Sequence, residues 1–212
     1  MSFKSILAGT VLAASSVTGA SAAPVNTATG LAAPVTTITF SEVPGIAQGA
    51  VVTDQFAALG ATFGSLSATA GLYFGASGNP GAELRNFFPD TYNPFSITFS
   101  GTVTEAAFNM VTNGYTDKFT ALLNGGVVES FTAPTGGWKY YGFTGILFDE
   151  IQVEIGFGST ATNKHMRLDN LQIGAVSAVP LPAGGLLLLS GLGGILAVKR
   201  RRKARAARRD RA

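Results

Sequence analysis

Three aromatic residues in the second half of the chain carry the clearest binding chemistry. Trp138, Tyr140 and Tyr141 follow the turn Pro134-Thr-Gly-Gly137. Aromatic faces bind sugar rings through apolar and CH–π contact, while polar neighbours fix the orientation. Alternate side chains of a strand point to opposite faces, so Trp138 and Tyr140 share one face. We therefore interpret Trp138 and Tyr140 as candidate ligand-binding residues, with packing of these rings in the core as the alternative.

The chain contains few of the side chains that usually serve in catalysis. There is one histidine, His165, and no cysteine, which excludes disulfides, thiolate metal sites and a cysteine nucleophile. No serine lies in a Gly-x-Ser-x-Gly elbow. Acidic residues are numerous enough for a pair of catalytic carboxylates, but none lies in an aromatic-rich motif. The sequence predicts no catalytic residue and no enzyme, and a secreted carbohydrate-active enzyme with a carboxylate pair stays an alternative.

The N-terminus has the three parts of a secretory signal peptide. Lys4 supplies a positive charge, residues 6–14 form a short apolar run, and small residues end at Ala20-Ser21-Ala22. Cleavage after Ala22 is favoured over cleavage after Ala23, because Pro24 would then follow the cut directly. We predict a signal peptide over 1–22 and a linker over 23–34.

The C-terminus carries a proline-bearing motif, an apolar run and a basic block, in that order. From Leu181 to Val198 there are eighteen uncharged, mostly apolar residues, enough to cross a hydrocarbon core of about 30 Å as a helix. The basic tail over 199–212 would stay on the cytoplasmic side by the positive-inside rule. The motif consists of Val179, Pro180, Leu181, Pro182 and Ala183, and the residues that set topology are Lys199, Arg200, Arg201, Arg202 and Lys203.

This ending over 176–212 resembles the PEP-CTERM sorting signal of Gram-negative bacteria, in its VPLPA variant. Leu181 stands where the commonest form of the motif has a glutamate. The resemblance implies an exosortase-type processing enzyme as partner, which recognises the motif, removes the helix and passes the protein outward. It also implies a cell-surface or extracellular location and an association with extracellular polysaccharide. A permanent one-helix membrane anchor is the alternative.

The charge of the chain is divided between its tail and its middle. Nine of the fifteen basic residues lie between Lys199 and Arg211, whereas residues 24–179 hold five basic and eleven acidic residues, a net charge of −6. A basic block directly after a hydrophobic helix is a topology signal rather than a nucleic-acid patch. We therefore expect no nucleic-acid partner.

The middle of the chain has the composition of β structure. It is rich in Gly, Thr, Phe and Val, and about ten short strand-like stretches are separated by Gly, Pro, Asn or Asp. Asn124-Gly125-Gly126 is a strong hairpin-turn signal, and alternation in 96–100 and 151–155 is typical of strands with one buried face. We predict an all-β domain over 35–175, a two-sheet antiparallel sandwich of jelly-roll type.

The order of features within 36–174 resembles the galactose-binding-like jelly rolls of exported proteins and carbohydrate-binding modules. The resemblance rests on Ile38-Thr-Phe-Ser-Glu42 near the start and Leu168-Asp-Asn-Leu171 near the end. It implies a structural Ca²⁺ that joins the first and last strands through Glu42 and Asp169. Carboxylate and carbonyl oxygens suit Ca²⁺, and capping of a turn by Asp169 and Asn170 is the alternative.

These patterns together favour a non-catalytic surface or matrix protein over an enzyme. The exported domain is expected to bind or organise extracellular polysaccharide. A purely structural surface domain without a ligand is the third alternative.

Overall fold

The computed structural model describes residues 23–67, 71–75, 82–86, 94–160 and 164–175, and this part of the chain is antiparallel β structure. One 3₁₀ turn, Ala57–Leu59, is its helical element. The strands are β1 (Ala23–Thr27), β2 (Thr36–Ile38), β3 (Val51–Val52), β4 (Ala61–Ser65), β5 (Leu72–Gly75), β6 (Glu83–Arg85), β7 (Phe95–Thr112), β8 (Thr116–Leu123), β9 (Gly126–Pro134), β10 (Lys139–Glu154) and β11 (Met166–Ile173).

Two long neighbouring strands, β7 and β10, run through the whole domain. The ring centroids of Phe95 and Phe108 in β7 are 6.5 Å apart, although thirteen residues of straight strand would separate them by about 40 Å. Strand β7 must therefore bend back over the core. The ladder between β7 and β10 shifts register on either side of Phe148, and Gly145 has a φ of 76°. Bulges of this kind bend the strand and re-aim its side chains.

The bend divides the strands into two layers. Sheet I contains β9, β8, the end of β10, the start of β7 and β4, in that order. Sheet II contains β1, the start of β10, the end of β7 and β11. On the far side of β11, β2 and β6 pair with successive parts of the strand, and β5 and β3 follow β6. The predicted antiparallel sandwich is confirmed.

The core lies between the two sheets and is dominated by aromatic rings. Phe119 of β8 stacks on Tyr141 of β10 with ring centroids 5.0 Å apart, and Phe131 of β9 meets the edge of Phe143 at 5.2 Å. Such pairs stabilise a core by about 0.5–1.5 kcal/mol beyond the area they bury. Gly142, between the two buried rings of β10, lies so close to β7 that a Cβ would be 2.7 Å from Cα of Ala107.

The turn and several strands follow the sequence patterns, while strand extents differ. Asn124 and Gly125 have φ values of 51° and 78° and join β8 to β9 as predicted. Glycine was expected to separate strands, but β7 continues through Gly101 and β10 continues through Gly145.

The expected linker over 23–34 needs correction. Its first five residues form β1, which pairs with β10 from Ala23 opposite Thr144 to Thr27 opposite Tyr140. Val25 and Leu31 are buried, because they pack against Ala107 and Tyr140 on the outside of sheet II. This segment is therefore part of the folded domain.

Both predicted targeting segments lie outside the described residues. They are the signal peptide over 1–22 and the sorting signal over 176–212. Within the described ranges, no helix has the length and apolarity needed to span a membrane. The chain divides into one unit over 1–176 and a second over 177–212.

Candidate ligand-binding face

The outer surface of sheet II brings together the two aromatic residues and one of the carboxylates singled out from the sequence. Asn109 of β7 pairs with Tyr140 on one side and with Asp169 of β11 on the other. Residues directly opposite in a ladder point to the same face. Trp138 and Arg167 lie next to this row. We call Trp138, Tyr140, Asn109, Arg167 and Asp169 the aromatic face.

Trp138 lies immediately before β10 and keeps 38% of its surface exposed. The guanidinium of Arg167 lies over its ring, 5.5 Å from the ring centroid. A cation over an indole ring contributes about 0.5–1 kcal/mol at an exposed site. The arginine therefore fixes the orientation of a ring that is still open to solvent.

Arg167 is itself held by a buried carboxylate. Its Nε donates to Glu83 Oε2 at 2.6 Å, and Arg85 binds Glu83 Oε1 at 2.6 Å. The side chain of Glu83 is 1% exposed, whereas those of the two arginines are 35% and 23% exposed. These three side chains join β6 to β11 and hold the Arg167 guanidinium in its position over the Trp138 ring.

Tyr140 is half-buried and is held on several sides. Its ring packs with Val25, Leu31 and Ala107, and a Cβ placed on Gly30 would lie 2.7 Å from ring atom Cδ1. Burial raises the pKa of the Tyr140 hydroxyl, the charge of Asp169 raises it further, and a hydrogen bond with Asn109 opposes both. The hydroxyl is therefore neutral at physiological pH.

The loop after β1 forms one wall of the aromatic face. Gly30 has a φ of 74°, which suits glycine, and its N–H donates to Thr27 Oγ1 at 3.1 Å. The N–H of Leu31 donates to Gln172 Oε1 at 2.7 Å. The chain in this loop therefore passes directly beside Tyr140, where a side chain at position 30 would not fit.

Asp169 lies at a bulge of β11 and is 5% exposed. The ladder to β7 shifts register between Asp169 and Gln172, and Asn170 adopts a φ of 48°. Asp169 Oδ1 accepts the N–H of Asn170 at 2.7 Å. Burial raises the pKa of Asp169, the Asn170 hydrogen bond lowers it, and the charges of Glu83 and Glu42 raise it.

Glu42, the second predicted calcium ligand, lies in the exposed loop after β2. Its Oε1 accepts the N–H of Thr39 at 2.7 Å and the Thr39 hydroxyl at 2.8 Å. Burial raises the pKa of Glu42, but hydrogen bonds from Thr39 and from the backbone of Glu42 and Phe40 together bring it below its usual value. Its charge raises the pKa of Asp169. Within the described ranges, no three His, Cys, Asp or Glu residues form a group that would hold a metal ion.

Two cavities are lined by residues other than Trp138 and Tyr140. One cavity of about 240 Å³ is lined by His165, Asn113, Val111 and Arg167, among others, so Arg167 borders both this cavity and the aromatic face. Another of about 340 Å³ is lined by Glu154, Lys164 and Phe157, among others. Glu154 in that cavity pairs with Lys118 at 3.0 Å. Neither cavity contains Trp138 or Tyr140.

Comparison with known proteins gives little further information. No family model matches the chain, and no curated protein matches it. Among solved structures, it is similar to a mutant of CBM29-2, a family 29 carbohydrate-binding module described in terms of ligand recognition. The similarity has a TM-score of 0.33 and 17% identity, and it covers 57% of this chain and 99% of that one.

Proposed function

We propose that this chain is an exported surface or matrix protein whose sandwich binds extracellular polysaccharide without catalysis. One observation carries the proposal: Trp138 and Tyr140 lie on the same outer face of sheet II, with the Trp138 ring 38% exposed. The polar side chains of Arg167, Asn109 and Asp169 lie beside them. An exposed ring with polar neighbours is the usual chemistry for sugar binding.

Export and processing are proposed from the two ends of the sequence. The signal peptide over 1–22 would direct export, and the motif Val179–Ala183 would recruit an exosortase-type enzyme while the helix over 181–198 holds the chain in the membrane. Cleavage after Ala22 would leave the whole of β1, which begins at Ala23, in the mature protein. The domain would then lie at the cell surface or outside the cell.

The alternative of a carbohydrate-active enzyme has one observation in its favour. The charge of Glu83 acts on Asp169, and the pKa of Asp169 is raised mainly by burial, as for a proton donor in a carboxylate pair. Against this, Glu83 is held by two arginines, which occupy the oxygens a base or nucleophile would need.

Binding and hydrolysis measured on the same sample separate these functions. The full chain, purified in detergent, would be applied to a glycan array and incubated with each polysaccharide that it binds. We expect binding without release of reducing ends. Hydrolysis that Asp169→Asn abolishes would establish the enzyme instead, and a negative result in both assays would leave a purely structural domain.

A structural Ca²⁺ between Glu42 and Asp169 is part of the same proposal. Both side chains offer carboxylate oxygens, which Ca²⁺ prefers, and the charge of Glu42 raises the pKa of Asp169. A cation there would join the loop after β2 to the bulge of β11. Backbone carbonyls would have to supply the remaining oxygens, because Ca²⁺ takes six to eight.

A further inference from the structure

The register of sheet II places two further polar residues next to the aromatic face. Arg167 of β11 lies opposite Val111 of β7, and the next pair along the ladder is buried. Because side chains alternate between the two faces of a strand, the pair after that, Asn113 and His165, points to the same outer surface as Arg167. Asn113 is exposed and His165 is half-buried, so a ligand can reach both side chains.

Asn113 and His165 line a cavity that adjoins the Trp138 ring. The cavity has a volume of about 240 Å³, and Val111 and Arg167 also form part of its wall. The guanidinium of the same Arg167 lies over the Trp138 ring, 5.5 Å from the ring centroid, so the cavity and the ring are neighbours. Pockets that enclose a drug-sized molecule usually measure about 300–1,000 Å³, and this smaller volume suits a single sugar unit.

A buried amide fixes the backbone that carries His165. Asn86 is fully buried; its Nδ2 donates to the carbonyl of Lys164 at 2.9 Å, and its Oδ1 accepts the N–H of Met166 at 2.8 Å. The two hydrogen bonds hold the chain on both sides of His165. Buried polar groups that are satisfied in this way make their surroundings rigid, so the imidazole is attached to a fixed part of the cavity wall.

The β7 side of the cavity is joined to the segment that leads to Trp138. The N–H of Thr112 donates to the carbonyl of Thr135 at 2.9 Å, and the hydroxyl oxygens of these two residues are 2.6 Å apart. The N–H of Gly114 donates to Thr112 Oγ1 at 3.3 Å. Asn113 lies between Thr112 and Gly114, so these hydrogen bonds hold Asn113 and the Trp138 segment in one arrangement.

We propose that this cavity is a second sugar subsite, so that a polysaccharide lies over Trp138 with its neighbouring unit between Asn113 and His165. The inference rests on the proposed sugar-binding function and adds that the ligand is recognised over at least two sugar units. An amide and an imidazole each offer a donor and an acceptor to sugar hydroxyls. Successive outward side chains of a strand are about 7 Å apart, a distance comparable to the size of one sugar ring.

The dependence of affinity on ligand length tests the subsite. The full chain in detergent would be titrated with oligosaccharides of a neutral β-glucan, from the single sugar upward. For the wild type, we expect the Kd to fall at least tenfold between the single sugar and the longer oligosaccharides. Asn113→Ala and His165→Ala should bind the single sugar like the wild type but the longer oligosaccharides several-fold more weakly.

Further variants separate the cavity from the aromatic ring and from effects on folding. Trp138→Ala should weaken binding at every length, whereas Thr132→Ala, at an exposed position of β9 in sheet I, should change it at none. His165→Gln keeps hydrogen-bonding groups and should bind the longer oligosaccharides better than His165→Ala. Because Asn113 is exposed, Asn113→Ala tests the cavity even if His165→Ala lowers the melting temperature.

Two results would contradict the inference in different ways. If the wild type, Asn113→Ala and His165→Ala all show the same dependence on length, the subsite is wrong while the proposed function stands. If the wild type binds none of the oligosaccharides, both are wrong.

Discussion

Asp117 shows at the residue scale how burial and hydrogen bonds compete. Asp117 lies on β8 in sheet I and is fully buried. Its Oδ1 accepts the N–H of Gly156 at 2.6 Å. The Thr135 hydroxyl donates to Oδ2. Burial nonetheless dominates and raises the pKa of Asp117, while these hydrogen bonds and the charge of Lys164 lower it. This carboxylate links β8 to the ends of β9 and β10.

Asp117 is predicted to make folding stability depend on pH. A carboxyl whose folded pKa is raised contributes stability that is full below the unfolded value of 3.8 and is lost as pH rises through the folded pKa. Asp117→Asn cannot ionise and keeps the acceptor for Gly156. The difference in melting temperature, variant minus wild type, should therefore grow from pH 4 to pH 7. Asp54→Asn, at an exposed position, is the control, and a constant difference for Asp117→Asn would contradict the prediction.

The proposed Ca²⁺ makes a separate prediction for Asp169 and Glu42. Adding Ca²⁺ to the EDTA-treated protein should raise its melting temperature, because a ligand that binds the folded state stabilises it. Asp169→Ala and Glu42→Ala should each remove this increase. An unchanged melting temperature in EDTA, together with wild-type behaviour of Asp169→Ala, would eliminate the metal site.

At the scale of elements, local sequence patterns predicted where strands lie better than they predicted which strands pair. The Asn124-Gly125 turn and the alternation in 151–155 are set by residues close in sequence, so they were readable. Glycines typically end strands, but Gly101 and Gly145 lie within β7 and β10. β1 was missed because a short Ala-Pro-Val-Asn-Thr stretch shows no periodicity and becomes a strand only through pairing with β10.

Only part of the aromatic face was predictable, because long-range strand pairing brings most of its residues together. Trp138 and Tyr140 are two residues apart, so the period of a strand places them on one face. Asn109, Arg167 and Glu83 join them through the registers of β7, β11 and β6, which depend on long-range pairing. The polar side chains beside the two rings therefore lay beyond sequence reasoning. Asp169 was predicted as a calcium ligand and also belongs to this face.

Glu83 is predicted to hold β6 on β11 through its two arginines. Glu83→Gln leaves two guanidinium groups without their carboxylate. Because the arginines are partly exposed, the loss should be at the lower end of that for a buried pair, about 3 kcal/mol in the free energy of unfolding. Denaturant unfolding would measure it. Glu154→Gln breaks the exposed pair with Lys118 and should cost less than about 1 kcal/mol; equal losses would contradict the role of Glu83.

At the scale of the whole molecule, an acidic β domain is followed in the sequence by an apolar run and a basic tail. The overall basic character comes from the tail after Lys199, while the net charge over 24–179 is −6. If the tail is removed, the mature protein is therefore strongly acidic.

Processing at the two ends predicts the intact mass of the protein recovered from cells. We expect an N-terminus at Ala23 and a C-terminus near Pro182, which mass spectrometry of the intact chain would show. Substitution of Pro180 and Pro182 by Ala should leave the C-terminus uncut. A mature protein that ends at Ala212 would show a permanent anchor instead of an exosortase substrate.

The central claim is that Trp138 and Tyr140 bind polysaccharide on the outside of sheet II. The most direct measurement is the Kd of the full chain for a neutral polysaccharide, compared among wild type, Trp138→Ala and Tyr140→Ala. Phe157→Ala, at another exposed aromatic residue (48% exposed), is the matched control. Central aromatic contacts contribute enough that each site variant should bind about tenfold or more weakly. Wild-type affinity in both site variants, with melting temperatures near that of the wild type, would contradict the account.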